Sequence, residues 1–218
     1  CLRMVADSHP IGPGANVVTN HTAVGGSPHP DVTLITPVFA ESSSSPIAYI
    51  ANRAHHAEIG GITPGSMPPH ATSLAEEGVV ISPTHLMRSD ESCFDTVAKI
   101  LTDAPYPTRN LKDNLADHNA QLAANRRGAL LLDSLFSEHG VDAVDAQMQH
   151  LKARSGEAFA DQLRKSRCSS ADAIERLDDG HEIHLQVSRR EERLKLDFSG
   201  SSPSHPGNFH ATPALIQS

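Results

Sequence analysis

The chain has 218 residues, enough for one elaborated domain or two small lobes sharing a core. Its 26 acidic and 18 basic side chains leave a formal charge of -8 without a basic cluster, which argues against nucleic acid or an anionic membrane surface as partner. Apolar residues make up 38% and aromatics 4%, with no Trp, so the core must be thin and built from Leu, Val, Ile and Ala; no apolar run approaches a membrane span and no charged-then-apolar leader opens the sequence, so neither a membrane nor a secretory reading is expected.

Residues 10–90 are rich in Gly and Pro and carry short β-branched runs. Residues 32–39 and 47–51 read as strands separated by a serine-rich turn at 41–46, and 79–81 as a third strand. Residues 60–69, Gly-Gly-Ile-Thr-Pro-Gly-Ser-Met-Pro-Pro, hold too many φ-permissive and φ-fixed residues for helix or strand and predict an ordered loop. After Pro105 and Pro107 helix takes over: Asn110 can cap, and Leu111, Leu115, Leu122, Ala129, Leu132 and Phe136 recur as one helical face. Gly140 ends that helix, and Val141, Val144, Met148, Leu151, Phe159 and Leu163 stripe a second one, so the short joint predicts an antiparallel helical hairpin. Ile183, Leu185 and Val187, then Leu194, Leu196 and Phe198, alternate on either side of 188–193 as a β-hairpin does. The expectation is an α+β chain: a β-rich, loop-dominated lobe carrying the site (1–104), the helical hairpin (105–168), and a C-terminal β-hairpin with a truncated tail (169–218).

Three cysteines, Cys1, Cys93 and Cys168, form no C-x-x-C pair, which predicts neither a disulfide framework nor a thiolate metal site and points to the reducing cytoplasm. An opening on Cys1 and a close at Leu215-Ile216-Gln217-Ser218, as an apolar stretch begins, are expected of an internal piece of a longer polypeptide.

Histidine is the outlying residue type, with 14 in all and six in the first 70 positions. His29 and Asp31 precede one strand while His55 and His56 follow the next, so the four converge if those strands are neighbours; a mixed His and carboxylate set suits Mn, Fe or Zn, and solvated His-rich loops are the alternative. The 60–69 loop could cradle an oxyanion with its N–H groups or be a structural turn. Asn114, Asp117, Gln121 and Asn125 form a polar helical stripe, either solvated or lining a cleft, and His118 reads as a tolerated residue at the core edge. No Gly-x-Ser-x-Gly elbow occurs and Cys93 has no basic neighbour to activate it, so Ser or Cys nucleophilic catalysis has little support.

The segment Asn52-Arg-Ala-His-His-Ala-Glu-Ile-Gly-Gly-Ile-Thr-Pro-Gly-Ser-Met-Pro-Pro69 resembles the signature of the hydantoinase B and 5-oxoprolinase family, the hydrolase half of enzymes that open cyclic amides at the expense of ATP. The likeness continues through Gly25-Gly-Ser, Pro30-Asp31, Thr36-Pro-Val-Phe39, Asn114-Leu-Ala-Asp117, Ala120-Gln-Leu-Ala-Ala-Asn125, Asp178-Asp-Gly180, Asp197-Phe-Ser-Gly200 and Pro206-Gly-Asn208. The resemblance implies an actin-like, hydantoinase A-type ATPase partner or fused domain. That partner would hold the ATP and phosphorylate the ring carbonyl oxygen, while this segment directs water onto the activated carbon of a 5-oxoproline- or hydantoin-type substrate.

It further implies catalytic roles for Asp31, His55, His56 and Asp117, a substrate pocket shaped by Gly60, Gly61, Thr63, Gly65, Ser66, Asn114 and Gln121, and a divalent metal, Mn or Zn, on Asp31, His55 and His29. The chain departs from the family pattern at one ligand: where the family writes Gly-Gly-Thr/Ser-His-Leu-Pro-Asp, this chain has Pro28 at the histidine position and His29 displaced by one. His118 also stands where Leu is common. Two other readings keep the fold: an inactive subunit that only docks the ATPase, and a metal-dependent component like that of acetone carboxylase.

Overall fold

Strand β2 (Asp31–Phe39) organises the first half of the chain. Its alternate residues are apolar on both faces, with Val32 and Leu34 buried on one and Ile35 on the other, as a central strand requires. It pairs antiparallel with β3 (Pro46–His55) and with β1 (Asn16–Thr19), and β1 pairs with β4 (Thr84–Arg88), which pairs with β5 (Glu91–Ser92). The sheet order is β3-β2-β1-β4-β5. Helix α1 (Leu2–Ser8), a 3-10 turn at Thr22–Val24 and the short α2 (Leu74–Glu77) and α3 (Phe94–Thr102) surround it. The structure, a computed structural model, describes residues 2–26, 29–40, 43–65, 67–209, 211 and 216. The expectations placed on Cys1, Pro28, Glu41, Ser66 and Leu215 lie outside these.

The sheet carries a core on each face. Val18, Val32, Leu34, Ile59, Val79, Ile81, Leu86, Val97, Leu101 and Leu122 fill one, and Val5, Ile11, Ala15, Val17 and Ile35 the other. Residues 79–81 are extended but are not a strand. The Asn20 side chain donates to Val79 O and accepts from Ile81 N (2.8 and 2.7 Å), Val79 N donates to Ile59 O (2.7 Å), and Ile81 O accepts from Asn20 N (3.2 Å) and the Thr19 hydroxyl (2.8 Å). The Asn20 amide, the end of β1 and Ile59 together take the place of a neighbouring strand and satisfy the buried backbone.

The long helix α4 (Leu111–His139) starts where expected, with Asn110 Oδ1 receiving the Asp113 N–H at 3.4 Å and Asn110 Nδ2 donating to Asp113 at 2.5 Å. Its buried ridge differs from the expected stripe. Leu122 and Leu132 are buried but Leu111, Leu115, Ala129 and Phe136 only partly, while Asn114, His118, Gln121 and Asn125 are fully enclosed. His118, expected at the core edge, has no exposed surface. Gly140, at φ +82, closes α4 through its N–H to Phe136 O and opens α5 (Val141–Lys165).

The chain forms two compact units, Cys1–Leu132 with Pro206–Ser218, and Asp133–His205, the boundary falling inside α4. In the second, the expected hairpin is β7 (Glu182–Arg190) and β8 (Arg193–Asp197), extended by β6 (Ser170–Arg176) into a three-stranded antiparallel sheet. Among the described residues no helix is long and apolar enough to cross a membrane.

Candidate active site

Asp31 opens β2 and His55 closes β3, and the two are direct partners in the antiparallel register. Opposite residues of such a pair share a face, and His55 Nδ1 lies 2.7 Å from Asp31 Oδ1. A carboxylate oxygen only accepts, so this contact puts the imidazole proton on Nδ1 and leaves Nε2 with a lone pair. The His55 side chain is 55% exposed and that of Asp31 22%, so the pair is open to solvent. Behind it on the same face Arg53 Nε donates to Thr33 Oγ1 (3.1 Å) and Arg53 Nη2 to Gly25 O (3.2 Å), tying the 3-10 turn to the strand pair.

His56, one residue on, faces the other way and is wholly buried. Its Nδ1 contacts Asn114 Oδ1 at 2.7 Å and lies 3.9 Å from Asp117 Oδ2, and its ring packs on that of His118 with centroids 4.8 Å apart. The four residues expected to act together therefore divide: Asp31 and His55 on one face of the sheet, His56 and Asp117 on the other. Burial first, and then the charge of neighbouring His56, push the His118 imidazole down to about 4; burial and the nearby His21 do the same to His29.

The polar stripe of α4 is neither solvated nor a cleft wall over most of its length; it seats the helix on the sheet. Gln121 Nε2 donates to Val32 O (2.8 Å) and Asn52 Oδ1 (2.9 Å), and Asn52 Nδ2 returns bonds to Gln121 O and Asn125 Oδ1, both 2.8 Å. Asn125 Nδ2 reaches Leu34 O (3.2 Å) and Thr36 Oγ1 (2.9 Å). At the N-terminal end of α4, Ala57, Glu58, Asn110, Asp113, Asn114 and Asp117 line a cleft of about 40 Å³.

Glu58 was not singled out by sequence, yet it organises this end. It accepts from Gly60 N (2.9 Å), Arg109 N (3.0 Å), Asn110 N (3.1 Å), Asn114 Nδ2 (3.4 Å) and, by a short contact, the Thr108 hydroxyl. Burial acts to raise its pKa, but the Thr108 hydroxyl and the Gly60, Asn110 and Arg109 amides outweigh that and hold it below the ordinary carboxylate value. The available signal was a carboxylate two residues before the Gly-Gly pair, ahead of a Thr-x-Asn cap.

The 60–69 loop is ordered through its first residues. Gly61 N donates to Tyr106 O (3.0 Å) and Ile62 N to Glu76 O (2.9 Å), so with Gly60 bound to Glu58 these N–H groups are spent inside the protein rather than offered to an anion. Gly60 has φ +80, and a Cβ there would lie 2.2 Å from Tyr106 O. Thr63 is exposed, and Gly65 has open space around it; Ser66 lies outside the described residues.

For a metal, Asp31 and His55 supply two converging donors. Among the described residues no third His, Cys, Asp or Glu ligand atom clusters with them, and His29 is buried with neither ring nitrogen hydrogen-bonded. Two donors fall short of the three protein ligands usual in a catalytic zinc site, so the expected Asp31, His55 and His29 triad does not fit a metal as it stands.

The model of the Hydantoinase B/oxoprolinase family matches residues 1–218. The 5-oxoprolinase of Saccharomyces cerevisiae is 36% identical over 220 residues, covering 95% of this chain and 17% of that protein. 5-oxoprolinase 1 of Arabidopsis thaliana is 35% identical over 229 residues, covering 94% and 18%. The crystal structure of the ATP-dependent caprolactamase from Pseudomonas jessenii shares the fold, with a TM-score of 0.85 at 24% identity over 99% of this chain and 38% of that one. The chain spans less than a fifth of the length of these two curated relatives. A family match from end to end, relatives above one-third identity and a common fold lead to one conclusion: the chain belongs to the hydantoinase B/oxoprolinase family.

Proposed function

We propose that this chain is part of a hydrolase that opens a cyclic amide of the 5-oxoproline or hydantoin type at the expense of ATP. ATP is held by a hydantoinase A-type ATPase, on a partner subunit or a fused domain. An unstrained lactam is a poor electrophile, so phosphorylation of its carbonyl oxygen precedes attack by water. In this reading His55 is the general base. Asp31 fixes its tautomer, Nε2 takes a proton from the attacking water, and water oxygen adds to the activated carbon. The ring C–N bond then breaks, its nitrogen leaving as the amine after taking up a proton, and a second water discharges the acyl phosphate to carboxylate and inorganic phosphate.

The observation that carries this is the exposed Asp31–His55 pair at 2.7 Å. It has the base-and-orienter geometry of proton-transfer sites, within a chain whose curated relatives include 5-oxoprolinases. His56, Asn114 and Asp117 hold the start of α4 against the strand end, and Thr63 and Gly65 shape the approach. The test is ATP-coupled ring opening by the complete polypeptide with its ATPase, comparing native protein with His55→Gln and Asp31→Asn. His55→Gln is expected to lose at least 100-fold in kcat, and Asp31→Asn to lose somewhat less while shifting the pH profile. Full activity in His55→Gln would remove the base assignment. Assembly with the ATPase without any turnover in native protein would favour the docking-subunit reading.

A further inference from the structure

We propose that Asp179, His181 and His205 form a binding site for one first-row divalent cation, such as zinc, which ties the β6–β7 turn to the segment after β8. The three side chains each present a ligand atom, and all three atoms lie within 4.8 Å of one another. Asp179 Oδ2 is 3.1 Å from His181 Nδ1 and in short contact with His205 Nε2, and the two rings are tilted at 55° with centroids 4.5 Å apart. Tetrahedral zinc with bonds of about 2.0–2.1 Å keeps its ligand atoms about 3.3 Å apart, so the cluster needs only small side-chain adjustments to receive one.

The backbone builds this cluster from residues far apart in sequence. The turn is closed by Leu177 N to His181 O (2.8 Å) and Gly180 N to Leu177 O (2.9 Å), with Gly180 at φ +91. His181 N donates to Asp179 Oδ1 (3.0 Å), which orients the carboxylate and turns Oδ2 to the rings. The returning segment is pinned to the start of β7 by Ser202 N to Glu182 O and Glu182 N to Ser202 Oγ, both 2.9 Å, and by His184 N to Ser201 Oγ (3.0 Å). His205 is thereby delivered to a turn 26 residues earlier. Two imidazoles and one carboxylate suit Zn, Co, Ni or Fe(II) rather than a hard oxygen-seeking ion. The His205 side chain is 12% exposed and that of Asp179 43%, so the carboxylate is the more accessible of these two donors. Clipping residues 179 and 205 closes a loop and stabilises the three-stranded sheet.

The test uses the whole chain, dialysed to equilibrium against Zn²⁺ and counted for bound metal, with circular dichroism as the check of folding. Native protein is expected to retain one equivalent and to melt several degrees higher with zinc than without. Asp179→Asn, His181→Gln and His205→Gln should each weaken retention at least tenfold and abolish the shift in melting temperature. His139→Gln, on an exposed helical histidine, and Asp31→Asn should change neither. Co²⁺ substitution adds a signature: visible d–d absorption in native protein that is missing in His205→Gln. Retention of the equivalent by His205→Gln and Asp179→Asn, equal loss in His139→Gln, or loss in Asp31→Asn would each overturn the proposal.

Discussion

Replacing Glu58 by Gln tests whether one carboxylate anchors the start of α4. The side chain is 13% exposed and takes five donors, from Gly60, Thr108, Arg109, Asn110 and Asn114. Gln preserves the shape and keeps one oxygen for the Oε1 partners. Its NH₂ then meets the buried Gly60 N–H donor to donor, stranding a group at a cost of about 1–3 kcal/mol. The remaining bonds change from charge-assisted to neutral, each losing roughly 0.5–1 kcal/mol. Together with the lost negative charge at a helix N-terminus, a destabilisation of at least about 3 kcal/mol follows. At an m-value near 2 kcal/mol/M this lowers the urea midpoint by at least about 1.5 M, read by circular dichroism at pH 7. The pH dependence is a second check. The folded pKa of Glu58 is depressed, so the unfolded chain binds that proton more readily, and the stabilisation is present above the ordinary carboxylate value and lost as pH falls through the folded one. Native and variant curves should therefore converge in acid. A variant within 0.5 kcal/mol of native at pH 7, or a gap unchanged to pH 3, would refute the anchoring role.

His118, held at about 4 by burial and by neighbouring His56 against an unfolded value near 6.5, makes the fold acid-sensitive: its contribution is intact above pH 6.5 and falls by up to about 3 kcal/mol as pH drops to 4. His118→Leu should flatten the pH dependence of the urea midpoint over that window, and an unchanged slope would count against it. Gly60→Ala adds a Cβ 2.2 Å from Tyr106 O at φ +80, whereas Gly65→Ala at φ +89 meets nothing within 4 Å. The first should cost well over 2 kcal/mol and the second about 1 kcal/mol in chemical denaturation, and equal costs would mean that the Tyr106 segment yields freely. In the second unit Leu151 is 65% and Phe159 55% exposed. The 218-residue chain should self-associate at micromolar concentration, and Leu151→Glu with Phe159→Glu should shift light scattering toward monomer.

Short β-branched runs separated by a serine-rich turn made β2 and β3 legible, and with them the convergence of Asp31 and His55, because such a run-turn-run pattern reports on neighbouring strands whose far ends meet. Residues 79–81 misled because β-branched composition says that a segment is extended, not what it bonds to; here the partners are Asn20, the Thr19 hydroxyl and Ile59 O rather than a strand. In α4 the usual equation of polar with exposed failed. Gln121 and Asn125 are buried because β2 and β3 carbonyls and the Asn52 amide satisfy them, and that matching is visible only once strand and helix are laid together. Glu58 was hidden for a similar reason: its partners at 108–110 lie some 50 residues away, and no local pattern connects them.

The amide seam also behaves like a rack meshed with a pinion. Gln121 and Asn125 are about 6.0 Å apart along the helix axis, and the Val32 and Leu34 carbonyls they engage are about 6.7 Å apart along the strand. Two teeth match two notches. A slip of α4 by one residue moves it only 1.5 Å but rotates it by about 100°, disengaging both teeth at once. A leucine interface could absorb such a slip by changing rotamers; this one has a single setting. Asn114 and Asp117, on the same helix, are indexed to that setting, so the distance between His56 and its partners is fixed by gearing that begins one residue along β2 from the Asp31–His55 pair.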